Sequence, residues 1–129
     1  MVKLLGNFLI AATIESAGEA TALAEKAGLD PRKMMEFFAG TMFASTVFTG
    51  YAARVATTDF EPAGFAMPLA LKDMTLALQA GHEVRAPLPI ASLLRDRLLA
   101  ALARGRDGWD WAGLASVARE EAGLPPRRS

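Results

Sequence analysis

Residues 3–27, KLLGNFLIAATIESAGEATALAEKA, decide the fold of this chain. Only two glycines interrupt the stretch, and the Gly-Leu-Asp-Pro that follows at 28–31 supplies a stop and a new start. The pattern therefore predicts a first helix from Lys3 to Ala27, roughly 35 Å long. Because residues 8–14 are apolar almost all round, we expect this helix to run through the middle of the domain.

Outside this helix, glycines, prolines and capping residues divide the chain into five further helices. We predict a second helix from Asp30-Pro31 to Gly40, a third from Ser45 to Val55, a fourth from near Pro68 to Gly81, a fifth from Ile90 to Ala103 and a last from Asp110 to Ala122. The predicted fold is all-α, with about six helices packed around a long, central N-terminal helix. Residues 1–124 form this helical domain, and residues 125–129 form a loose tail.

Polar residues mark the predicted surface of the domain. The segment from Thr57 to Gly64 is a polar connector that carries a proline. On the fifth helix, Arg95, Asp96 and Arg97 interrupt the apolar stripe, so we place all three on the solvent-facing side.

The composition excludes several classes of function. Fourteen basic and fourteen acidic residues cancel, so neither nucleic acid nor an anionic membrane is an expected partner. The chain has no cysteine and one histidine, which excludes disulfides and leaves too few ligands for a zinc site. Any chemistry must use lysine, asparagine, hydroxyl or carboxylate side chains.

The N-terminus superficially resembles a secretory signal, because Lys3 precedes an apolar run. Gly6 and Asn7 interrupt this run, and no small-residue cleavage site follows it. The run is also shorter than the ~20 residues that a membrane span requires. We expect a cytoplasmic protein without a membrane span.

Lys3 and Asn7 are the first candidate site residues, because residues four apart share one face of a helix. The amide can fix a hydroxyl or carboxylate, while the ammonium moves a proton to or from a reacting oxygen. For that role, burial or a neighbouring cation must make the ammonium release its proton more readily. On spacing alone, two ordinary surface residues are the better explanation, because a lysine and an asparagine four apart on a helix are usually solvated.

Other polar and aromatic residues have plain structural interpretations. The pair Lys72-Asp73 lies in the middle of the fourth helix and is typical of a solvated surface, and Phe65 is typical of core. His82 stands near a helix end, where an imidazole suits the helix dipole. Trp109 and Trp111 flank the predicted cap of the last helix and anchor it.

The order and spacing of these features resemble a known family. Residues 3–9, KLLGNFL, and residues 19–31, EATALAEKAGLDP, resemble the long interdomain helix of the 3-hydroxyisobutyrate dehydrogenase family, a group of β-hydroxyacid dehydrogenases. Residues 59–78, DFEPAGFAMPLALKDMTLAL, look like its second signature, and Leu-Pro-Ile at 88–90 and Gly-Trp-Asp-Trp at 108–111 follow at the expected distances. The resemblance extends over residues 1–124 and includes, more distantly, the C-terminal domain of 6-phosphogluconate dehydrogenase.

The resemblance implies an NAD(P)-dependent oxidoreductase that acts on a small 3-hydroxy acid or semialdehyde. Lys3 matches the family's catalytic lysine, and Asn7 matches the asparagine that holds the substrate. Phe65 and Lys72 match residues at the nicotinamide end of the cofactor site, and Asp73 matches a structural partner in that motif. Gly6 stands where the family usually has a first asparagine of two.

The dinucleotide fingerprint is absent from these 129 residues, which contain no Gly-x-Gly-x-x-Gly turn of a Rossmann domain. By the resemblance, the complete enzyme uses NAD or NADP, and a nucleotide-binding domain in cis or in trans must supply the cofactor. We expect neither tight cofactor binding nor appreciable activity from the chain alone. The family also implies a homo-oligomer, a dimer or larger.

Two other interpretations remain open. The chain could be a helical dimerisation or scaffold module derived from such an enzyme, in which case Lys3 has no chemical role. An imine-reductase-like enzyme shares the helical domain, but its members usually place another residue at the position of this lysine.

Overall fold

The computed structural model describes residues 1–126 and contains six α-helices within them. These are α1 (Val2–Lys26), α2 (Pro31–Gly40), α3 (Thr46–Thr57), α4 (Met67–Val84), α5 (Pro89–Ala103) and α6 (Ala115–Glu121), with a 3-10 turn over Trp111–Leu114 directly before α6. The same residues include no β-strand and one isolated bridge, between Ala66 and Asp110. The all-α prediction is confirmed. Residues 127–129 of the predicted loose tail lie outside the described residues.

The helix α1 is the centre of the domain, because it packs against each of the other five helices. Its residues Ala11, Ile14 and Ala17 are buried in the main hydrophobic core. The predicted central position of the first helix is therefore confirmed. Its first turns are more open, since Leu9 is 62% exposed.

Close approach of α1 and α6 depends on a glycine. A Cβ atom at Gly18 would lie 2.6 Å from the Cβ and 2.8 Å from the Cα of Ala115, the first residue of α6. Both distances are shorter than a van der Waals contact, and one of the atoms belongs to the backbone. Gly18 therefore permits a helix crossing that a larger residue would push apart.

The helices α2 and α3 both begin at capping side chains, of which Asp30 was predicted as a cap and Ser45 only as the start of a helix. The Asp30 carboxylate accepts a hydrogen bond from the backbone N–H of Arg32 at 2.9 Å, and Pro31 occupies the first turn. The Ser45 hydroxyl accepts from the N–H of Phe48 at 3.0 Å. The helix α3 continues to Thr57 rather than ending at Val55, and Thr58 ends it in the left-handed conformation with φ of 54°.

The predicted end of α4 at Gly81 is wrong. The helix continues through Gly81 to Val84, and Arg85 takes the left-handed conformation that ends it, with φ of 58°. Gly81 is instead required for close packing, because the segment after α4 folds back and passes over it. A Cβ atom there would lie 2.7 Å from the carbonyl oxygen of Ala86.

The predicted solvent-facing side of α5 is wrong at one of its three positions. Arg95 and Asp96 pair with each other near the surface, at 3.1 Å. The side chain of Arg97 is only 21% exposed and turns toward α1, where its Nε lies 3.1 Å from Oε1 of the buried Glu15. The physical reason is a carboxylate on the inner face of α1, which requires a cation.

The last predicted helix is divided in two. Asp110 caps it as predicted, since its Oδ1 accepts from the N–H of Ala112 at 2.8 Å. The first turn is a 3-10 helix, in which the N–H of Gly113 donates to the carbonyl of Asp110. In residues 1–126, no helix combines the length and the apolar character that crossing a membrane requires.

Candidate functional site

A hydrogen bond between α1 and α4 joins the two signature stretches of the sequence. Asn7, in the second turn of α1, donates from Nδ2 to Oδ2 of Asp73 in α4 at 2.6 Å. The bond is partly buried and connects residues 66 positions apart. The structure thus brings the surroundings of Lys3 and Lys72 to one side of the domain.

This bond fixes which atoms Asn7 can offer to a ligand. A carboxylate accepts hydrogen bonds, so the amide nitrogen of Asn7 faces Asp73. The amide keeps one N–H and its carbonyl oxygen for further partners. Asn7 can therefore bind a hydroxyl, which donates and accepts, or a carboxylate, which only accepts.

Lys3 lies one turn before Asn7, about 6 Å along the helix axis and on the same face. Its side chain is exposed and forms no ion pair with any of residues 1–126. The ammonium is thus available to a ligand that Asn7 holds. No part of the described domain buries the Lys3 ammonium. An environment that favours proton transfer must therefore be supplied from outside residues 1–126.

Lys72 precedes Asp73 on α4, and its side chain is exposed. Consecutive helical residues point about 100° apart, so Lys72 does not share the inward direction of Asp73. Lys72 also forms no ion pair within the described part of the chain. Two lysines without carboxylate partners therefore lie on the α1 and α4 side of the domain, which favours an anionic ligand there.

Phe65 lies just before α4 and belongs to a different set of contacts. Its ring packs edge to face on Trp111, with centroids 4.5 Å apart and an angle of 67° between the planes. The indole N–H of Trp111 in turn donates to the Tyr51 hydroxyl at 2.7 Å. Phe65 is only partly buried, so part of the residue remains accessible.

Asp110 holds the segment that carries Phe65. This aspartate is 1% exposed, and its Oδ2 accepts from the N–H groups of Gly64 and Phe65 at 2.9 and 3.0 Å. Arg54 from α3 completes the cluster, with its Nη1 3.0 Å from the same oxygen. The start of α4 is thereby fixed to the 3-10 turn.

The sequence predicted Asn7 and Phe65 as candidate residues, but it did not predict the contacts that hold them, with Asp73 and with Asp110. Asp73 was predicted as a structural partner without a named contact, and Asp110 was predicted only as a cap. For Asp73, the available signal in the sequence was an acidic residue next to Lys72 within the largely apolar residues 67–74. For Asp110, no signal in the sequence links it to Gly64 or Phe65, because the contact depends on tertiary packing.

Known proteins share the fold and much of the sequence of this chain. A crystal structure of 3-hydroxyisobutyrate dehydrogenase from Salmonella typhimurium matches 90% of this chain and 40% of its own, with a TM-score of 0.81 and 26% identity. The uncharacterized oxidoreductase YfjR of Bacillus subtilis (strain 168) is 38% identical over 112 residues, which are 87% of this chain and 39% of that protein. The 3-sulfolactaldehyde reductase of Escherichia coli (strain K12) is 30% identical over 124 residues, 95% of this chain and 41% of that protein.

The fold and the relatives define the class: the chain matches the helical region of proteins that are named as dehydrogenases and reductases. A family model described as the NAD-binding region of NADP-dependent 3-hydroxyisobutyrate dehydrogenase matches residues 1–118. The chain therefore belongs to the 3-hydroxyisobutyrate dehydrogenase family. It spans about two fifths of the length of the curated relatives that it matches.

Proposed function

We propose that this chain is the helical substrate-binding and oligomerisation domain of an NAD(P)-dependent β-hydroxyacid dehydrogenase. Its substrate would be a small 3-hydroxy acid or the corresponding semialdehyde. A nucleotide-binding domain, in cis or in trans, would supply the cofactor-binding half of the site. Since reduced nicotinamides are held inside cells, the proposal includes a cytoplasmic location.

The observation that carries the proposal is the hydrogen bond from Asn7 to Asp73. The Asn7 side chain is held by this hydrogen bond and is only partly buried, so it is suited to orienting a ligand. Lys3 on the same helix face adds a proton donor and acceptor within reach of that ligand. In a scaffold without chemistry, Lys3 and Asn7 would be retained together only by inheritance.

In the proposed reaction, Asn7 holds the hydroxyl or carboxylate of the substrate, and Lys3 exchanges a proton with the reacting oxygen. In the oxidation direction, the hydroxyl proton moves to the neutral amine of Lys3 as the carbon loses a hydride. The nicotinamide cofactor, when bound, would supply the acceptor for that hydride, and in the reduction direction Lys3 would return the proton to the oxygen. Closure against the nucleotide-binding domain would remove water from the amine and favour its neutral form.

The residues described fit one side of a nicotinamide nucleotide. The exposed ammonium of Lys72 suits a polar or anionic part of the cofactor, and the accessible part of Phe65 suits a flat group. These contacts alone cannot hold a dinucleotide in its reactive position, because pyrophosphate recognition needs a Gly-rich turn at a helix N-terminus. We therefore assign tight cofactor binding to the second domain.

The direct test fuses the nucleotide-binding domain of the E. coli 3-sulfolactaldehyde reductase in front of this chain. Turnover of 3-hydroxyisobutyrate and of 3-sulfolactaldehyde is followed by nicotinamide absorbance. We expect activity in the fusion, and a loss of at least about 100-fold in kcat for Lys3→Met. Lys26→Met, at the exposed far end of α1, is the matched control and should leave kcat unchanged. Equal turnover by the Lys3 variant would contradict the assigned role.

The oligomerisation part of the proposal rests on exposed apolar side chains. Leu9, Phe37, Met42 and Phe43 are between 50% and 70% exposed. Large apolar side chains exposed on α1, on α2 and in the loop after α2 favour association with another surface. Light scattering of the chain should give the mass of a dimer or of a larger oligomer, and a monomer mass at all concentrations would exclude this part.

The same exposed side chains favour the second candidate, a non-catalytic dimerisation or scaffold module. That candidate predicts an oligomer as well, so mass alone does not separate the two. The fusion separates them, because a scaffold gives no turnover even though the attached domain binds NADPH. Calorimetric titration of the fusion with NADH and NADPH provides that binding control.

A further inference from the structure

Glu15 is a buried carboxylate that the proposed reaction does not use. It lies in the middle of α1 and is 4% exposed, next to the core residue Ile14. Neither of its oxygens accepts a hydrogen bond from residues 1–126. Its closest cation is Arg97 of α5, whose Nε lies 3.1 Å from Oε1 without the alignment of a hydrogen bond.

Arg97 is shared with a second carboxylate. Its Nη1 donates to Oε2 of Glu121, near the end of α6, at 2.5 Å. The charged groups that act on Glu15 are Arg97 from α5, Glu121 from α6 and Glu19 one turn further along α1. Arg97 thus contacts two carboxylates and lies in the field of a third, Glu19, while Arg104 is a further cation that acts on Glu121.

The two partners of Arg97 differ in their tendency to lose a proton. Burial raises the pKa of Glu15 to about 7, with Arg97 opposing the rise and the carboxylates of Glu19 and Glu121 adding to it. The hydrogen bond from Arg97 lowers the pKa of the exposed Glu121 below its usual range. Near neutral pH, Glu121 is ionised while Glu15 is partly protonated.

We propose that the proton on Glu15 controls how Arg97 connects α1, α5 and α6. When Glu15 is protonated, the guanidinium pairs with Glu121 and fixes the end of α6 to α5. When Glu15 releases its proton to solvent, the existing contact at Arg97 Nε becomes a pair of opposite charges, and the Nη1 bond to Glu121 weakens as the guanidinium aligns with Glu15. The cluster is thus a pH-sensitive connection at a distance from the site at Asn7.

The sign of the effect on stability follows from where the proton is held. An unfolded Glu15 titrates near 4.5, whereas the folded residue titrates at about 7. Between these values the folded state binds a proton that the unfolded state has lost, so stability falls as the pH rises. Above about pH 7 both states are ionised at this position, and the contribution becomes constant.

The first test is a carbon NMR titration of the Glu15 side-chain carboxyl in the unmodified chain. We expect a midpoint near 7 and a shift of the Arg97 Nε resonance with the same midpoint. Glu121→Gln removes the carboxylate that accepts the Arg97 hydrogen bond. Arg97 can then pair with Glu15, so the Glu15 midpoint should fall. A Glu15 midpoint near 4.5, or one that does not change in E121Q, would overturn the proposal.

The second test is thermal unfolding from about pH 5 to about pH 8. The Tm of the unmodified chain should fall on the order of 5 °C over this range, while E15Q, which resembles the protonated form, should not show that fall. Glu83→Gln, at an exposed position of α4, is the matched control and should fall like the unmodified chain. If E15Q kept the full pH dependence, Glu15 would not be its source.

Discussion

Asp110 and Asp73 both accept hydrogen bonds from residues far away in the sequence, but they differ in how completely they are surrounded. Asp110 is 1% exposed and receives three backbone N–H groups and the guanidinium of Arg54. Asp73 is only partly buried and receives a single amide, from Asn7. Both oxygens of Asp110 are therefore occupied by partners within the fold, whereas the Asp73 carboxylate can accept further hydrogen bonds.

The difference separates residues that hold the domain together from residues that prepare a site. A buried charge is tolerated when all its partners are present, and removal of such a charge leaves several polar groups without a partner. A half-exposed pair contributes little to stability, because water can replace either partner. We therefore expect substitutions at Asp110 to affect folding and those at Asp73 to affect binding and turnover.

The largest expected effect on stability is that of Asp110→Ala. This change removes a helix cap, the oxygen that accepts from the N–H groups of Gly64 and Phe65, and the partner of Arg54. We expect a loss of about 3 to 5 kcal/mol in the free energy of unfolding, measured by urea denaturation. Asp110→Asn keeps an acceptor of similar shape and should lose less. A loss below about 1 kcal/mol in the alanine variant would show that the cluster is not essential.

An intermediate effect is expected where α1 and α6 meet. Gly18→Ala brings a Cβ to within 2.8 Å of a backbone atom of Ala115, so the helices must separate. We expect a loss of about 1 to 3 kcal/mol in spite of the better helix propensity of alanine. Gly6→Ala, in the open first turns of the same helix, meets no atom within 4 Å and should gain up to about 1 kcal/mol. Equal effects at the two glycines would mean that α1 and α6 do not pack closely at Gly18.

The smallest expected effect on stability is that of Asp73→Ala. The change removes one partly buried hydrogen bond and leaves the Asn7 amide accessible to water. We expect a loss of at most about 1 kcal/mol in the same urea experiment. A loss comparable with that of Asp110→Ala would place Asp73 among the residues that hold the fold.

Much of the fold could be predicted from the sequence, because glycines, prolines and capping residues act locally. Asp30, Ser45 and Asp110 each cap the helix that they were expected to begin. The errors arose where tertiary contacts decide. Gly81 lies inside α4 because the chain folds back over it, and Arg97 turns inward because Glu15 is buried.

The candidate site was predictable only in part. Lys3 and Asn7 share a helix face, which spacing alone establishes. The bond between Asn7 and Asp73 depends on how α1 packs on α4, and no local pattern fixes that register. The same limit applies to Phe65, whose position depends on Asp110 and Trp111.

The most direct test of the central claim is a double-mutant cycle on Asn7 and Asp73 in the active fusion, measured as kcat/KM. If Asp73 acts by positioning Asn7, then Asn7→Ala and Asp73→Ala should each lower kcat/KM on the order of 10-fold to 100-fold. The double variant should then be no worse than the more severe single one. Additive losses, or single variants with unchanged kcat/KM, would contradict the claim that this pair forms part of the site.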